Sequence, residues 1–279
     1  MNRVGVGIEY THTYAFPISD LLTDDTLRLS HLSVVGIVDT DKARVFKAKL
    51  GQIPVIHHLS GVEPAGIQGV NTDQMKHQEA ISQVLDARWC LEDIGIWNVG
   101  PYALPYFATP VLCQEVLEQT VEGIKAIQEI SSIPFAAEIP SFSIHAGDIS
   151  LGDFFHQIID QTNCHMVLDV SHVFSYAIYH ALPFLDLLNS LPLDAVIEIH
   201  IAGGRVHPKH NWRYLDTHAD PIIEPILTLL DAALKGCPQL RAVTFELGEN
   251  IDEPTFRTDF KKIADICKAN DYVAQLDLP

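Results

Sequence analysis

The chain has no run of 18 consecutive apolar residues, no paired cysteines and few basic side chains. Each scarcity excludes a class. Without a long apolar run, a membrane-spanning helix is not expected. Residues 1–9, MNRVGVGIE, meet an acid too soon to form the apolar stretch of a secretory signal and read as a first strand. The five cysteines (Cys90, Cys113, Cys164, Cys237 and Cys267) are odd in number and form no C-x-x-C pair. A disulfide framework or thiolate zinc site is therefore not expected. A reducing cytoplasm is the expected location, and any metal should be held by nitrogen and oxygen. Lysine and arginine total 18 against 36 acids, a net charge of −18. That balance argues against nucleic-acid or anionic-membrane partners recruited by charge. It also suits a pocket of converging acids whose charge bound cations offset.

What is present is a large apolar fraction, 47% of 279 residues, enough for one barrel-sized domain spanning 1–279. Eight short apolar runs recur, at 4–8, 33–38, 53–57, 87–91, 134–137, 165–168, 195–199 and 242–245. They lack clean alternation, as strands covered on both faces do. Helical patterning fills most gaps, at 73–85, 110–130, 151–162, 182–191, 221–234 and 253–270. The short stretch 40–49 gives the weakest helical pattern. Pro110 and Pro221 suit first-turn positions, and Ser150 and either Asn71 or Thr72 suit helix caps. Strand–helix alternation predicts a parallel sheet, and eight strands predict a closed (β/α)8 TIM barrel. No G-x-G-x-x-G follows the first strand, which disfavours a dinucleotide-binding fold.

The chemistry lies where the later strands stop. His58, Asp93, Glu138, Asp169, His200 and Glu246 fall at six consecutive strand ends. In a parallel barrel all such ends share one face, so residues far apart in sequence converge. Any one of these acids could simply cap the next helix, and a lone histidine beside an apolar run is more often a packed core residue. Only one of His57 and His58 can face inward. Six in register are harder to assign to structure, because carboxylates buried together without cations would neutralise. Asp169-Val170-Ser171-His172 adds His172 one helical turn on, and Asp216-Thr217-His218 puts Asp216 and His218 on one side of an extended segment. Nine candidate ligands exceed the four to six or so that one ion takes, so two or three ions sharing carboxylates are expected. Imidazole with carboxylate suits iron, manganese or zinc. The segment 203–214, GGRVHPKHNWRY, reads as a loop over the mouth. Its Arg205, Lys209 and Arg213 are candidates for contact with a substrate carboxylate or peptide, or a solvated surface. His207 and His210 read as loop residues.

At PVIHH (54–58), LEDIG (91–95), AEIPS (137–141), VLDVSHVF (167–174), IHIAGG (199–204), LDTHA (215–219) and TFE (244–246) the chain resembles the DUF692 family. These are multinuclear non-haem iron-dependent oxidative enzymes that modify ribosomally synthesised peptides. The resemblance implies two or three irons, Fe(II)/Fe(III), at the barrel mouth, with O2 as co-substrate. It implies His58, Glu138 and a ligand near position 93 at one iron, and Glu138, Asp169, His200 and Glu246 at a second. It further implies His172, Asp216 and His218 at a third, on a TIM barrel of the xylose-isomerase-like kind. Two departures stand out: the family usually reads Asp-His where this chain has Asp93-Ile94, and asparagine where it has His172. The implied reaction is two- or four-electron oxidation of a precursor peptide, often at cysteine, with a small leader-recognising partner protein. The competing readings are a zinc- or manganese-dependent sugar isomerase or epimerase, an endonuclease-IV-like hydrolase, and a non-catalytic peptide-binding barrel.

Overall fold

The structure, a computed structural model, describes residues 5–11, 16–141 and 146–270. Val4, expected to open the first strand, lies outside them. Eight parallel strands close a barrel in the order β1 (Gly5–Tyr10), β12 (Ala242–Glu246), β9 (Val196–Ala202), β8 (His165–Asp169), β7 (Phe135–Glu138), β4 (Ala87–Asp93), β3 (Val55–His58) and β2 (Leu32–Val34). The expected (β/α)8 fold is the observed one. Nine α-helices among the described residues follow the strands: α1 (Ile18–Leu22), α2 (Thr40–Leu50), α3 (Thr72–Leu85), α4 (Gln114–Ile130), α5 (Leu151–Thr162), α6 (Val170–Tyr179), α7 (Phe184–Asn189), α8 (Glu224–Gly236) and α9 (Glu253–Ala269). Among the described residues no helix is long and apolar enough to cross a membrane.

Two antiparallel hairpins interrupt the alternation, β5 (Ile96–Val99) with β6 (Tyr102–Ala108), and β10 (Gly204–His207) with β11 (His210–Asp216). The second replaces the loop expected at 203–214. Other boundaries shift for local reasons. The strand expected to reach Val38 stops at Val34, two residues before Gly36, whose φ is +78°. The helices expected to start at Pro110 and Pro221 start at Gln114 and Glu224, and the proline in the first turn of α8 is Pro225. The helix expected over 182–191 covers only Phe184–Asn189. Asn71 caps α3 by accepting from the Gln74 amide, and Ser150 caps α5 through the Asp153 amide.

The outer core lies between strands and helices. On α4, Leu117, Val121, Ile124 and Ile127 recur at helical spacing and are almost fully buried. Each contributes roughly 1.5–3 kcal/mol relative to exposure. Gly123, on the same helix, is required by packing: a Cβ there would overlap the Pro64 carbonyl oxygen.

Inside the barrel a separate apolar cluster comprises Ile56, Trp89, Leu91, Ala136, Val167, Ile197 and Ala242. Two residues further along most of these strands stands an ionisable side chain: His58 after Ile56, Asp93 after Leu91, Glu138 after Ala136 and Asp169 after Val167. The period of two puts both members of each pair on the inward face. The barrel is therefore dry towards its N-terminal end and charged at its mouth.

Candidate metal centre

Strand geometry sets the first group. His58 Nε2 lies 3.7 Å from Asp93 Oδ2 and 3.9 Å from Glu138 Oε2. Asp93 ends β4 facing inward, whereas Ile94 is fully buried in the outer core. Thus Asp93 occupies the place at which a histidine ligand would otherwise be sought. A second group gathers Glu138, Asp169, His200 and Glu246; His200 Nδ1 is 2.9 Å from Glu138 Oε1 and 2.7 Å from Glu246 Oε1. The third gathers His172, Asp216 and His218, with Asp216 Oδ2 3.1 Å from His172 Nε2 and 3.3 Å from His218 Nε2. Within each group the ligand-type atoms lie within 4.8 Å of one another. All nine candidates converge, Glu138 belongs to two of these groups, and Glu9, His58 and Glu246 form a fourth.

Asp169 shows how one carboxylate serves fold and site together. Its Oδ1 accepts from the backbone amides of Ser171 and His172 at 2.6 and 2.8 Å, capping α6. Its Oδ2 is buried without a hydrogen bond and faces His172 Nε2 at 3.8 Å. The cap starts the helix that carries His172 to the mouth. The Asp216–His218 turn is held from outside: Thr217 Oγ1 donates to Asp220, and Arg205 donates twice to the same carboxylate at 2.8 and 2.9 Å. His218 adopts a φ of +54°, and its amide donates to the Gly203 carbonyl. Arg205 is thus engaged by Asp220, while Lys209 and Arg213 form no ion pair among the described residues and stand exposed on the hairpin. His207 and His210 lie near its tip, outside the three groups.

The residues fit a metal. Asp93 Oδ1, Glu138 Oε2, Asp169 Oδ2 and Asp216 Oδ1 are buried without a hydrogen-bond partner. Leaving one such group unsatisfied costs about 1–3 kcal/mol, and more if charged, unless a cation or proton serves it. The titration of the cluster shows the same demand. Burial, then the negative charges of Asp93 and Glu246, push the Glu138 carboxyl up to about 8 against the pull of His200. Burial, then Glu246 and Asp216, raise Asp169 to about 6 against His172. His218 resists burial and rises to about 10 through Asp216 and Glu246. His58, His172 and His200 likewise rise well above an ordinary imidazole, since their carboxylate neighbours outweigh burial. Protons fill the role that cations would take, and metal binding must release them.

Sequence reasoning missed three residues. Glu9, on β1, meets His58 Nδ1 at 2.7 Å; an acid near the end of the first strand was its available signal. Glu198 is completely buried and contacts His200 Nε2 at 3.1 Å; its signal was an acid two residues before His200 in an apolar strand. Tyr106, on β6, is more than half exposed, yet its phenol end is enclosed. Burial, then the charges of Asp93, Asp216, Glu246 and Asp169, raises its pKa far above the usual value, and its ring stacks on Phe107. No sequence signal marked it.

Solved structures share the fold. The xylose isomerase domain protein from Planctomyces limnophilus matches with a TM-score of 0.64 and 12% identity over 96% of this chain and 97% of its own. A D-psicose 3-epimerase matches at 0.63 and 12% over 96% and 100%. Endonuclease IV from Thermus thermophilus matches at 0.58 and 14% over 95% and 99%. Sequence relatives include UPF0276 proteins of Alcanivorax borkumensis, 22% identical over 75% of this chain and 72% of the relative, and Caulobacter vibrioides, 22% identical over 82% and 81%. Residues 34–268 match the family described as RiPP precursor modification enzyme MbnB/TglH/ChrH. That span contains all nine converging side chains, and the chain belongs to this enzyme family.

Proposed function

We propose that this chain is an iron-dependent, dioxygen-using oxidase or oxygenase that modifies a ribosomally synthesised precursor peptide, with cysteine the favoured target residue. The observation that carries the reading is the set of overlapping ligand groups at one barrel mouth, of which the nine expected residues form three and two of these share Glu138. Their donors are imidazole nitrogens and carboxylate oxygens; none of the five cysteines belongs to a group. Such a set with positions left open suits non-haem iron. Iron held there would supply the oxidising chemistry with dioxygen that protein side chains lack.

The chain's own groups orient and enclose. His58, Asp93 and Glu138 are assigned to one ion, Glu138, Asp169, His200 and Glu246 to a second, and His172, Asp216 and His218 to a third. Asp93 adds negative charge where a histidine would add none, and His172 offers a nitrogen where an asparagine would offer an amide. The peptide approaches along the β10–β11 hairpin, past Lys209, Arg213 and the half-exposed Trp212. Arg205 supports that path through its pairing with Asp220. β11 leads from this surface directly to Asp216. Recognition of the peptide's leader is assigned to a small partner protein; neither nucleic acid nor membrane takes part.

The test is oxygen consumption by anaerobically purified, Fe(II)-loaded protein mixed with candidate cysteine-containing precursor peptides and their leader-binding partner, with mass spectrometry of the product. Oxygen uptake coupled to a mass change in the peptide is expected. Stoichiometric zinc, no iron and no oxygen uptake with any peptide would overturn the reading.

A further inference from the structure

Three histidines of the mouth each turn one ring nitrogen towards the ligand groups and the other towards a protein acceptor. His58 Nδ1 faces Glu9 Oε2 at 2.7 Å, His172 Nδ1 faces the Ile139 carbonyl at 2.8 Å, and His200 Nε2 faces Glu198 Oε1 at 3.1 Å. A neutral imidazole has one N–H and one lone pair, so an acceptor on one nitrogen fixes the lone pair on the other. His58 and His172 therefore present Nε2 to the mouth, and His200 presents Nδ1. Glu9 also lies among the ligand-type atoms around His58 and Glu246. The 2.7 Å contact with His58 Nδ1 commits its Oε2 to the histidine.

Glu198 is the more elaborate support. It has no exposed surface. Its Oε2 accepts from Trp89 Nε1 at 2.7 Å, and its Oε1 accepts from the Thr244 hydroxyl. Thr244 Oγ1, having donated its proton, accepts from His31 Nε2 at 2.8 Å, and His31 Nδ1 lies 3.0 Å from Ser30 Oγ. Gly7 has no Cβ because the His31 ring fills that space. Trp89, Thr244 and His200 all act as donors to one carboxylate, which has only acceptors to offer. The charge and the ring plane are both fixed before any ion arrives.

We propose that Glu198 is a positioning residue that locks the tautomer and orientation of His200, so that Nδ1 is its metal-binding atom, and that Glu9 does the same for Nε2 of His58. The inference rests on the metal reading above. Carboxylates behind histidine ligands raise ligand basicity, and their loss weakens metal affinity about 10- to 100-fold.

The test uses Co(II) as the probe, with affinity measured by chelator competition and ligand geometry by visible absorption. Glu198→Gln keeps the volume but turns an amide N–H2 towards donors; it should bind Co(II) about 10- to 100-fold more weakly with an altered ligand-field spectrum. Trp89→Phe removes one hydrogen bond to Glu198 and keeps an aromatic ring; it should weaken binding by about fivefold. Glu79→Gln changes a buried carboxylate on α3 that instead holds Ser132, and it should leave affinity and spectrum unchanged. Wild-type affinity and spectrum in Glu198→Gln would overturn the proposal; should that variant fail to fold, the same result in Trp89→Phe overturns it. Wild-type protein that binds neither Co(II) nor Fe(II) would instead remove the metal reading itself.

Discussion

The two faces of the barrel strands treat the same residue types differently. His57 and Glu92 point outward; His58 and Asp93, their immediate neighbours, point inward. Outside, polar groups are complete: His57 Nδ1 meets Ser82 Oγ at 2.7 Å, and Glu92 accepts from the Val62 and Glu63 amides at 3.1–3.2 Å. Inside, Asp93 Oδ1 and several oxygens beside it have no hydrogen bond. Burial alone therefore does not identify a functional residue. What separates the faces is whether the protein itself satisfies the group. A structural polar residue costs stability when removed; an unsatisfied one costs binding.

The comparison breaks most visibly at Glu138, which two ligand groups share. Glu138→Ala should lose the metal of both groups that share it in elemental analysis, while the group of His172, Asp216 and His218 keeps its own. Full metal content in the variant would remove Glu138 from the ligand set. The outward counterpart should behave in reverse. Glu92→Ala orphans two buried amides and should lower stability by about 2–4 kcal/mol in denaturant titration, with metal content per folded chain retained.

His31 sharpens the comparison, since it is interior yet satisfied. Burial, partly offset by Glu198 and reinforced by His200, lowers its pKa to about 4. The unfolded chain binds this proton near pH 6.5 and the folded chain does not, so stability is full above pH 6.5 and falls on acidification towards pH 4. The loss should reach roughly 3 kcal/mol, and His31→Gln should flatten that part of the stability–pH curve. An unchanged slope in the variant would show that His31 is not held neutral. The smallest effect belongs to Ser82→Ala. Removing the partner of His57 should cost about 1–2 kcal/mol and leave metal binding untouched.

The barrel was legible because each parallel strand is covered on both faces, which leaves a short apolar run, and because each inward strand end interrupts that run with an acid or histidine. His58, Asp93, Glu138, Asp169, His200 and Glu246 were therefore visible as a series. Glu198 was not, for a reason of register. Met166 pairs with Val196 but Val167 pairs with Glu198, so Ile197 is an extra residue. The irregularity breaks the period of two, and Ile197 and Glu198 both take part in interior contacts. The hairpins were hidden because apolar periodicity reports burial, and strands β6 and β11 are largely exposed. Arg205 illustrates the same limit: its charge was evident, but its engagement by Asp220 required a turn that sequence spacing does not specify.

The most direct test of the central claim is the iron stoichiometry of anaerobically prepared protein titrated with Fe(II), read by elemental analysis and Mössbauer spectroscopy. Two or three irons per chain in nitrogen- and oxygen-donor environments, with the iron of the two groups that share Glu138 lost in Glu138→Ala, are the predicted result. No bound iron, or iron retained in full by that variant, would contradict it.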